Sequence, residues 1–227
     1  MMGKIRVLVV DDSAFMRTFI SDIISKEPDM LVIDTAGDGD AAISKVKAMN
    51  PDVVTLDVEM PGKNGLEVLK EIKNISSAQV IMLSGLTTEG SATTIEALRI
   101  GAFDFVAKPG DTSFNRITDM KRDLLSKIRQ AFVAKNKTMR KIFRKDKQDH
   151  KIQKKAKGKI EAVVIGASTG GPKVLYDIIT RLPADMLVPV FVVQHMPQGF
   201  TKAFAEGLIN RRTSKLLKLH TKSQLDP

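Results

Sequence analysis

The chain has 227 residues, of which 43% are hydrophobic and 27% charged, a composition typical of a soluble globular protein. It has no cysteine, which excludes disulfides and thiolate metal sites. No stretch approaches the roughly 20 apolar residues of a membrane helix, and the first apolar run is too short for a signal peptide, so we expect a cytoplasmic protein without membrane insertion. The net charge of +10 lies in residues 133–159, where twelve Lys or Arg accompany two Asp, so the remaining chain is neutral overall.

Five apolar runs alternate with helical patterns before this basic stretch. The first helix has apolar residues at i, i+4 spacing between Phe15 and Ile24. Continuous apolar strands joined by helices predict a doubly wound α/β fold, with a five-stranded parallel sheet covered on both faces. The predicted strands are 5–10, 31–36, 53–57, 80–85 and 103–108, and the later helices are 40–49, 65–72, 91–100 and 117–132.

Polar side chains stand where the predicted strands end. Asp11 and Asp12 follow the first strand, Asp57 closes the third, Ser84 the fourth and Lys108 the fifth. Ligands of such sheets bind at this edge, and three converging carboxylates need a cation, for which Mg²⁺ is suited. Together with a lysine and a hydroxyl, they predict phosphoryl transfer to Asp57. Helix capping by these aspartates is the alternative interpretation.

Four motifs resemble the response-regulator receiver domain over residues 4 to about 122: 8-LVVDDSAFMR-17, 56-LDVEMPGKNGLEVL-69, 83-LSG-85 and 101-GAFDFVAKPG-110. The resemblance implies that Asp57 accepts a phosphoryl group from a phosphohistidine of a sensor kinase. The other implied roles are Mg²⁺ ligation by Asp11, Asp12, Asp57 and the backbone carbonyl of Glu59, phosphoryl contact by Ser84 and Lys108, and an activation switch at Phe105.

The basic stretch 133–159 is poor in large apolar residues. Such a segment buries too little surface to offset its ordering entropy, so we interpret it as a linker between two modules. A contact with nucleic acid or with an acidic partner is the alternative.

A second α/β pattern follows the linker. Strand 162–167 runs into Ser168, a helix begins at about Pro172, strand 188–195 ends on His195, and a helix covers about 200–209. Proline is well tolerated in the first turn of a helix. The pattern predicts one βαβ unit and a further helix.

The segment 166-GASTGG-171 follows the first of these strands. A phosphate-binding loop would need lysine where Pro172 stands, and the dinucleotide pattern would need glycine where Ser168 stands. The segment matches G-x-S-x-G, which places a serine on a sharp turn between strand and helix. A serine that caps the following helix is the alternative.

His195 favours the interpretation of Ser168 as a nucleophile. In a right-handed parallel βαβ unit, both residues end neighbouring strands at one edge of the sheet. The imidazole could then act as general base for the hydroxyl. The backbone N–H groups of Thr169, Gly170 and Gly171 would be placed to hold an oxyanion.

The order of receiver, basic linker, VVIGASTGGP and VVQHMPQGFT resembles the chemotaxis response regulators of the protein-glutamate methylesterase family. The resemblance implies hydrolysis of glutamyl methyl esters on chemoreceptors, and in many members deamidation of receptor glutamines, without a cofactor for hydrolysis. It implies Ser168 as nucleophile and His195 as base, a chemotaxis histidine kinase as phosphodonor, and relief of occlusion of the serine site when Asp57 is phosphorylated.

The sequence departs from that family in one respect. The family's third catalytic residue, an aspartate in a G-M-G-x-D-G segment, has no counterpart after His195. We therefore expect a receiver over 1–122, a helix end and basic linker over 123–158, and a truncated catalytic domain over 159–227. The resemblance implies that this last domain is a fragment of a Rossmann-like α/β hydrolase fold, and we expect its activity to be impaired. Its last 15 or so residues are a candidate frameshift.

Two other functions remain to be distinguished. The first is a phosphorylatable receiver that acts as a binding module without esterase activity. The second is a transcriptional regulator, which the strand-helix-strand pattern of the second module disfavours, so we expect no nucleic-acid partner.

Overall fold

The computed structural model describes residues 3–85, 88–109, 114–143, 160–183, 185–196 and 200–209, with backbone alone for 88–91, 114, 137–143 and 209. The first part of the chain is a five-stranded parallel sheet with helices on both faces. Its elements are β1 Ile5–Val10, α1 Ala14–Ser25, β2 Met30–Ala36, α2 Gly39–Met49, β3 Val53–Asp57, α3 Gly65–Ile75, β4 Gln79–Ser84, α4 Thr88–Ile100, β5 Asp104–Ala107 and α5 Phe114–Phe143.

The strand order β2-β1-β3-β4-β5 brings the chain's acidic positions together. Val10 of β1 is opposite Leu56 of β3, so the residues that follow them, Asp11 and Asp57, lie side by side. Parallel strands that are all covered by helices are buried on both faces, which explains their continuous Val, Leu and Ile runs. The predicted fold class and strand boundaries are therefore confirmed to within one or two residues.

Two apolar layers cover the sheet. On one face, α1 and α5 pack through Ile20, Ile24 and Leu124. On the other face, α2, α3 and α4 contribute residues such as Val68 and Leu98. Helix starts are fixed by local caps: the Asn64 side chain accepts from the backbone N–H of Glu67, whose carboxylate accepts from the backbone N–H of Asn64 in return.

Helix α5 is longer than predicted. The sequence placed its end at residue 132 and a linker from 133, but the helix continues to Phe143, so the linker prediction is wrong for 133–143. The reason is visible at Lys135, which is buried and donates to the backbone carbonyl of Pro51 at 3.2 Å and to Asp52 Oδ1 at 2.9 Å. A charged residue that is paired in this way can join a core. Residues 144–159 of the predicted linker lie outside the described residues.

A smaller unit follows, with β6 Val163–Ala167, α6 Gly171–Ile179, β7 Val190–Gln194 and α7 Phe200–Ile209. Strands β6 and β7 pair in parallel, which confirms the predicted βαβ unit. Its helices pack against α4 and β5 of the first unit, and Leu175, Tyr176, Phe200 and Phe204 join the same buried cluster as Phe105. None of the helices in the described part of the chain is both long and apolar enough to span a bilayer.

Candidate phosphoacceptor site and serine site

Three carboxylates converge at the carboxyl edge of the five-stranded sheet. One oxygen from each of Asp11, Asp12 and Asp57 lies within 4.8 Å of the other two. Asp11 and Asp57 are buried and Asp12 is exposed, so the cluster opens to solvent on one side. The loop is braced by Arg17, whose guanidinium donates to the backbone carbonyls of Asp11 and Asp12 at 2.7 and 3.0 Å.

Lys108 neutralises part of this charge. Its Nζ lies 2.8 Å from Asp57 Oδ2 and 2.9 Å from Asp11 Oδ2. One ammonium against three carboxylates leaves a net charge of about −2 when all three are ionised. A divalent cation with oxygen ligands fits that deficit, so the donor set suits Mg²⁺.

Burial dominates the ionisation of Asp57. Removal from water raises the pKa of this carboxyl to about 6, and the charge of Asp11 adds to the rise, whereas Lys108 and the backbone N–H of Glu59, at 3.3 Å, oppose it. The pKa of Lys108 is raised, because its two carboxylate partners outweigh its own desolvation. The ionised acceptor is thus held against a desolvation cost that a bound cation would relieve.

Without metal, the cost of burying the ionised Asp57 carboxylate should make the free energy of unfolding depend on pH. Its pKa is higher in the folded chain than the ordinary 3.8, so the destabilising contribution is absent below about pH 4, grows as the pH rises to about 6, and is constant above. We expect Asp57→Asn in chelator to raise the free energy of unfolding at pH 7.5 by about 1–3 kcal/mol. Urea titrations between pH 4.5 and 7.5 measure it.

The matched control is Asp22→Asn, because Asp22 is an exposed aspartate of α1. It should leave the pH profile of stability unchanged. An Asp57→Asn protein that is no more stable than the parent at pH 7.5 would contradict the assigned cost of burying this carboxylate.

Two other predicted receiver residues belong to β4 and β5. Ser84 is fully buried at the end of β4, and its hydroxyl donates to the backbone carbonyl of Gly85 at 3.2 Å. Phe105 is buried beneath Lys127, whose Nζ is 5.2 Å from the ring centroid and donates to the Phe105 carbonyl at 2.6 Å. The roles assigned to Ser84, Glu59 and Phe105 stay predictions.

Ser168 and His195 lie at one edge of the β6-β7 pair. Ala167 and Gln194 are opposite each other in the register, and the backbone N–H of His195 donates to the Ala167 carbonyl at 3.2 Å. Gln194 braces both turns, because its side-chain amide donates to the carbonyls of Ser168 and His195 at 3.1 and 2.9 Å. The strand pairing therefore brings the two predicted catalytic residues together.

The capping alternative for Ser168 is not what the structure shows. Helix α6 begins after Gly170, which has φ +71° and no side-chain cap, and Ser168 contributes a backbone turn in which its carbonyl accepts from Gly171 at 2.7 Å. Glycine is favoured at 171 because a Cβ there would lie 2.7 Å from the Cβ of Ala167 and 2.5 Å from Gln194 Oε1. The Ser168 side chain stays exposed at the turn.

The serine site is not assembled as a triad. Among the described residues, no hydrogen bond joins the Ser168 hydroxyl to the His195 imidazole, and no carboxylate pairs with that imidazole. Such hydrogen bonds are often loose before substrate binds. The structure therefore provides proximity of the two residues without the hydrogen-bonded relay that an active serine hydrolase needs.

A groove of about 710 Å³ separates the serine turn from the receiver. Ser168, Thr169 and His195 line one wall, and β5 and α5 line the other with Asp104 and Lys127. Sequence analysis missed a contact between the two units beside this groove: the backbone N–H of Gly170 donates to Asp104 Oδ2 at 2.6 Å. No local sequence signal marks it, because the partners are 66 positions apart in different units.

Comparison with known proteins agrees with this architecture. Residues 7–120 match the model of the response regulator receiver domain family. The response regulator domain of Thermotoga maritima CheB, a solved structure, shares 52% sequence identity with a TM-score of 0.52, covering 57% of this chain and 96% of that one. Sheet order, acidic cluster and lysine thus define a response regulator.

The second unit identifies the kind of response regulator. Residues 163–227 match the CheB methylesterase model. Two relatives named protein-glutamate methylesterase/protein-glutamine glutaminase, from Caldanaerobacter subterraneus and Thermotoga maritima, are 44% and 50% identical, over 100% and 90% of this chain and 64% and 58% of their own length. The chain belongs to the CheB-like chemotaxis response regulators. It spans about 60% of the length of these relatives.

Proposed function

We propose that the chain is a phosphorylation-controlled protein-glutamate methylesterase of chemotactic adaptation, acting in the cytoplasm with a chemotaxis histidine kinase as phosphodonor and methylated chemoreceptors as substrate. The observation that carries the proposal is a juxtaposition. One groove has the serine turn on one wall and, on the other, β5 with Phe105 and the lysine that follows it, Lys108. A structural change that follows phosphorylation of Asp57 could therefore reach Ser168 across this one groove.

The acceptor half of the function is phosphoryl transfer. An ionised Asp57 oxygen attacks the phosphorus of a phosphohistidine, the phosphorus–nitrogen bond breaks, and the imidazole leaves with the bonding electrons. Bound Mg²⁺, on Asp11, Asp12, Asp57 and the Glu59 carbonyl, would neutralise phosphoryl charge. Lys108, which already lies 2.8 Å from Asp57, is placed to follow the charge onto the phosphoryl oxygens.

The serine half of the function is ester hydrolysis. The Ser168 hydroxyl attacks the acyl carbon of a glutamyl methyl ester while His195 takes its proton, and methanol leaves with a proton from the imidazole. Water then hydrolyses the acyl-serine ester and frees the glutamate carboxylate. Attack on a glutamine side chain would release ammonia by the same steps, which is the proposed deamidase activity.

The missing relay favours slow turnover. Loss of the carboxylate that orients the imidazole lowers turnover by about 10⁴-fold in the serine proteases, and no carboxylate pairs with His195 among the described residues. This observation also supports a second candidate function, a phosphorylatable receiver that binds kinase or receptor without esterase activity.

Methanol release distinguishes the two candidate functions. The chain is incubated with Mg²⁺, a small-molecule phosphodonor and membranes bearing radiolabelled methylated receptors. The methylesterase proposal predicts slow release that rises with phosphodonor and is absent in Ser168→Ala. Thr180→Ala, which removes a hydroxyl at the far end of α6, is the matched control and should release as the parent does. No release from a chain that still accepts phosphate would favour the binding module.

A further inference from the structure

The contact between the two units includes one buried carboxylate with an unusual partner. Asp104, the first residue of β5, is 3% exposed, and its Oδ2 accepts from the backbone N–H of Gly170 at 2.6 Å. Its other oxygen accepts from the backbone N–H of Phe105 at 2.8 Å. The nearest cation, Lys127 Nζ, is 3.7 Å away and is already engaged by Asp123 and the Phe105 carbonyl. Gly170 is therefore the closest donor from the other unit.

Gly170 lies at the start of α6, close to the predicted nucleophile. The residue starts α6, a nine-residue helix with no side-chain cap of its own, and an anion is favoured at such a helix start. Gly170 stands two residues after Ser168, in the turn whose N–H groups are predicted to hold the acyl oxygen. An N–H that is bonded to Asp104 cannot serve a substrate at the same time.

The contact is held from two sides. The ring of Phe103 packs against Gly170, where a Cβ would lie 3.1 Å from two ring atoms, and the φ of +71° also favours glycine here. On the other side, Asp104 directly precedes Phe105, whose ring lies 4.4 Å from that of Phe200. This part of β5 therefore packs against the second unit, and a shift of the β5 backbone would move Asp104 and Phe105 together.

We infer that the Asp104 carboxylate occupies the anion position of the serine turn as an internal stand-in for the glutamate carboxylate that ester hydrolysis produces. The inference rests on the proposed function, because it takes the Gly170 N–H to be part of the acyl-oxygen site. The receiver then blocks the site with a chemical mimic of its own product, and the turn becomes available when β5 withdraws.

The first test measures the bond in the parent protein. In the full chain labelled with ¹⁵N and ¹³C, a scalar coupling through the hydrogen bond should join the Gly170 amide nitrogen to the Asp104 carboxylate carbon, and this amide should exchange slowly. In Asp104→Ala, exchange of the Gly170 amide should be at least about 10-fold faster, as expected for loss of one charge-assisted hydrogen bond. Asp119→Ala, which removes an exposed carboxylate of the same groove, is the control.

The second test asks whether the vacated position binds a carboxylate. N-acetylglutamate should shift the Gly170 amide resonance of Asp104→Ala saturably at about millimolar concentration, and should not shift it in the parent or in Asp119→Ala. Slow exchange of Leu56 and Ile81, both buried in the receiver sheet, verifies that each variant is folded.

The outcomes separate this inference from the proposed function. No coupling in the parent would overturn the contact, and a vacated turn that ignores N-acetylglutamate would overturn the role as a product mimic, whatever the esterase activity. Faster exchange of the Gly170 amide and binding of N-acetylglutamate in Asp104→Ala, with no methanol released from methylated receptors, would support the inference and count against the methylesterase proposal. If Asp104→Ala does not fold, the coupling in the parent and the same titration of Asp104→Ser, whose shorter side chain cannot reach Gly170, decide.

Discussion

Asp57→Asn should abolish phosphoryl incorporation into the chain, lowering its rate by at least about 10³-fold, because an amide cannot supply the ionised oxygen that attacks phosphorus. The substitution keeps the shape of a side chain that is 3% exposed and leaves the Lys108–Asp11 ion pair in place. The folded site should therefore survive while its chemistry is lost. Intact mass after incubation with a small-molecule phosphodonor and Mg²⁺ measures the effect.

Two features of the experiment make its result specific to this carboxylate. Asp22→Asn removes an exposed carboxylate from α1 and should be phosphorylated at the parent's rate. Omission of Mg²⁺ should reduce incorporation in the parent, because the net negative charge of the cluster then opposes the incoming phosphoryl group. Incorporation into Asp57→Asn at a rate near that of the parent would place the acceptor elsewhere.

Phe200→Ala should destabilise the packing of the second unit on the receiver by about 3–5 kcal/mol, the range for a fully buried phenylalanine. Phe200 is 0% exposed, and its ring lies 4.4 Å from Phe105 at an angle of 31°. The cavity would open at the boundary between the units, so the loss should fall on α6, α7 and the β6-β7 pair. Hydrogen exchange of these elements, followed by mass spectrometry, measures the loss.

Phe191 provides the matched control for this substitution. It belongs to β7 of the same unit, but its side chain is 56% exposed, so Phe191→Ala should change stability by no more than about 0.5 kcal/mol. Equal effects of the two substitutions, or unchanged exchange in Phe200→Ala, would contradict the assignment of Phe200 as the anchor between the units.

The positions that the sequence predicted well are those set by strand ends. Asp11, Asp57, Ser84 and Lys108 each follow or close an apolar run, and a parallel sheet brings such positions to one edge whatever the details of packing. The same rule placed Ser168 beside His195. These predictions depended on chain order and period, which are local properties of the sequence.

The features that the sequence did not reveal depend on contacts between distant segments. Lys135 appeared to belong to a solvated linker, yet Asp52 and the Pro51 carbonyl draw it into the core and extend α5. The Asp104–Gly170 contact joins a strand of one unit to a turn of the other. Residue type alone does not distinguish a buried, paired charge from a solvated one, because the partner decides.

The most direct test of the account is hydrogen exchange of the serine turn, residues 168–171, with and without beryllofluoride and Mg²⁺ as a mimic of the phosphorylated acceptor. The account predicts exchange at least about 10-fold faster with the mimic, as the Gly170 hydrogen bond to Asp104 opens, and no change in Asp57→Asn. Unchanged exchange in a parent chain whose Asp57 is shown to bind the mimic would contradict the claim that acceptor and serine turn are coupled through this interface.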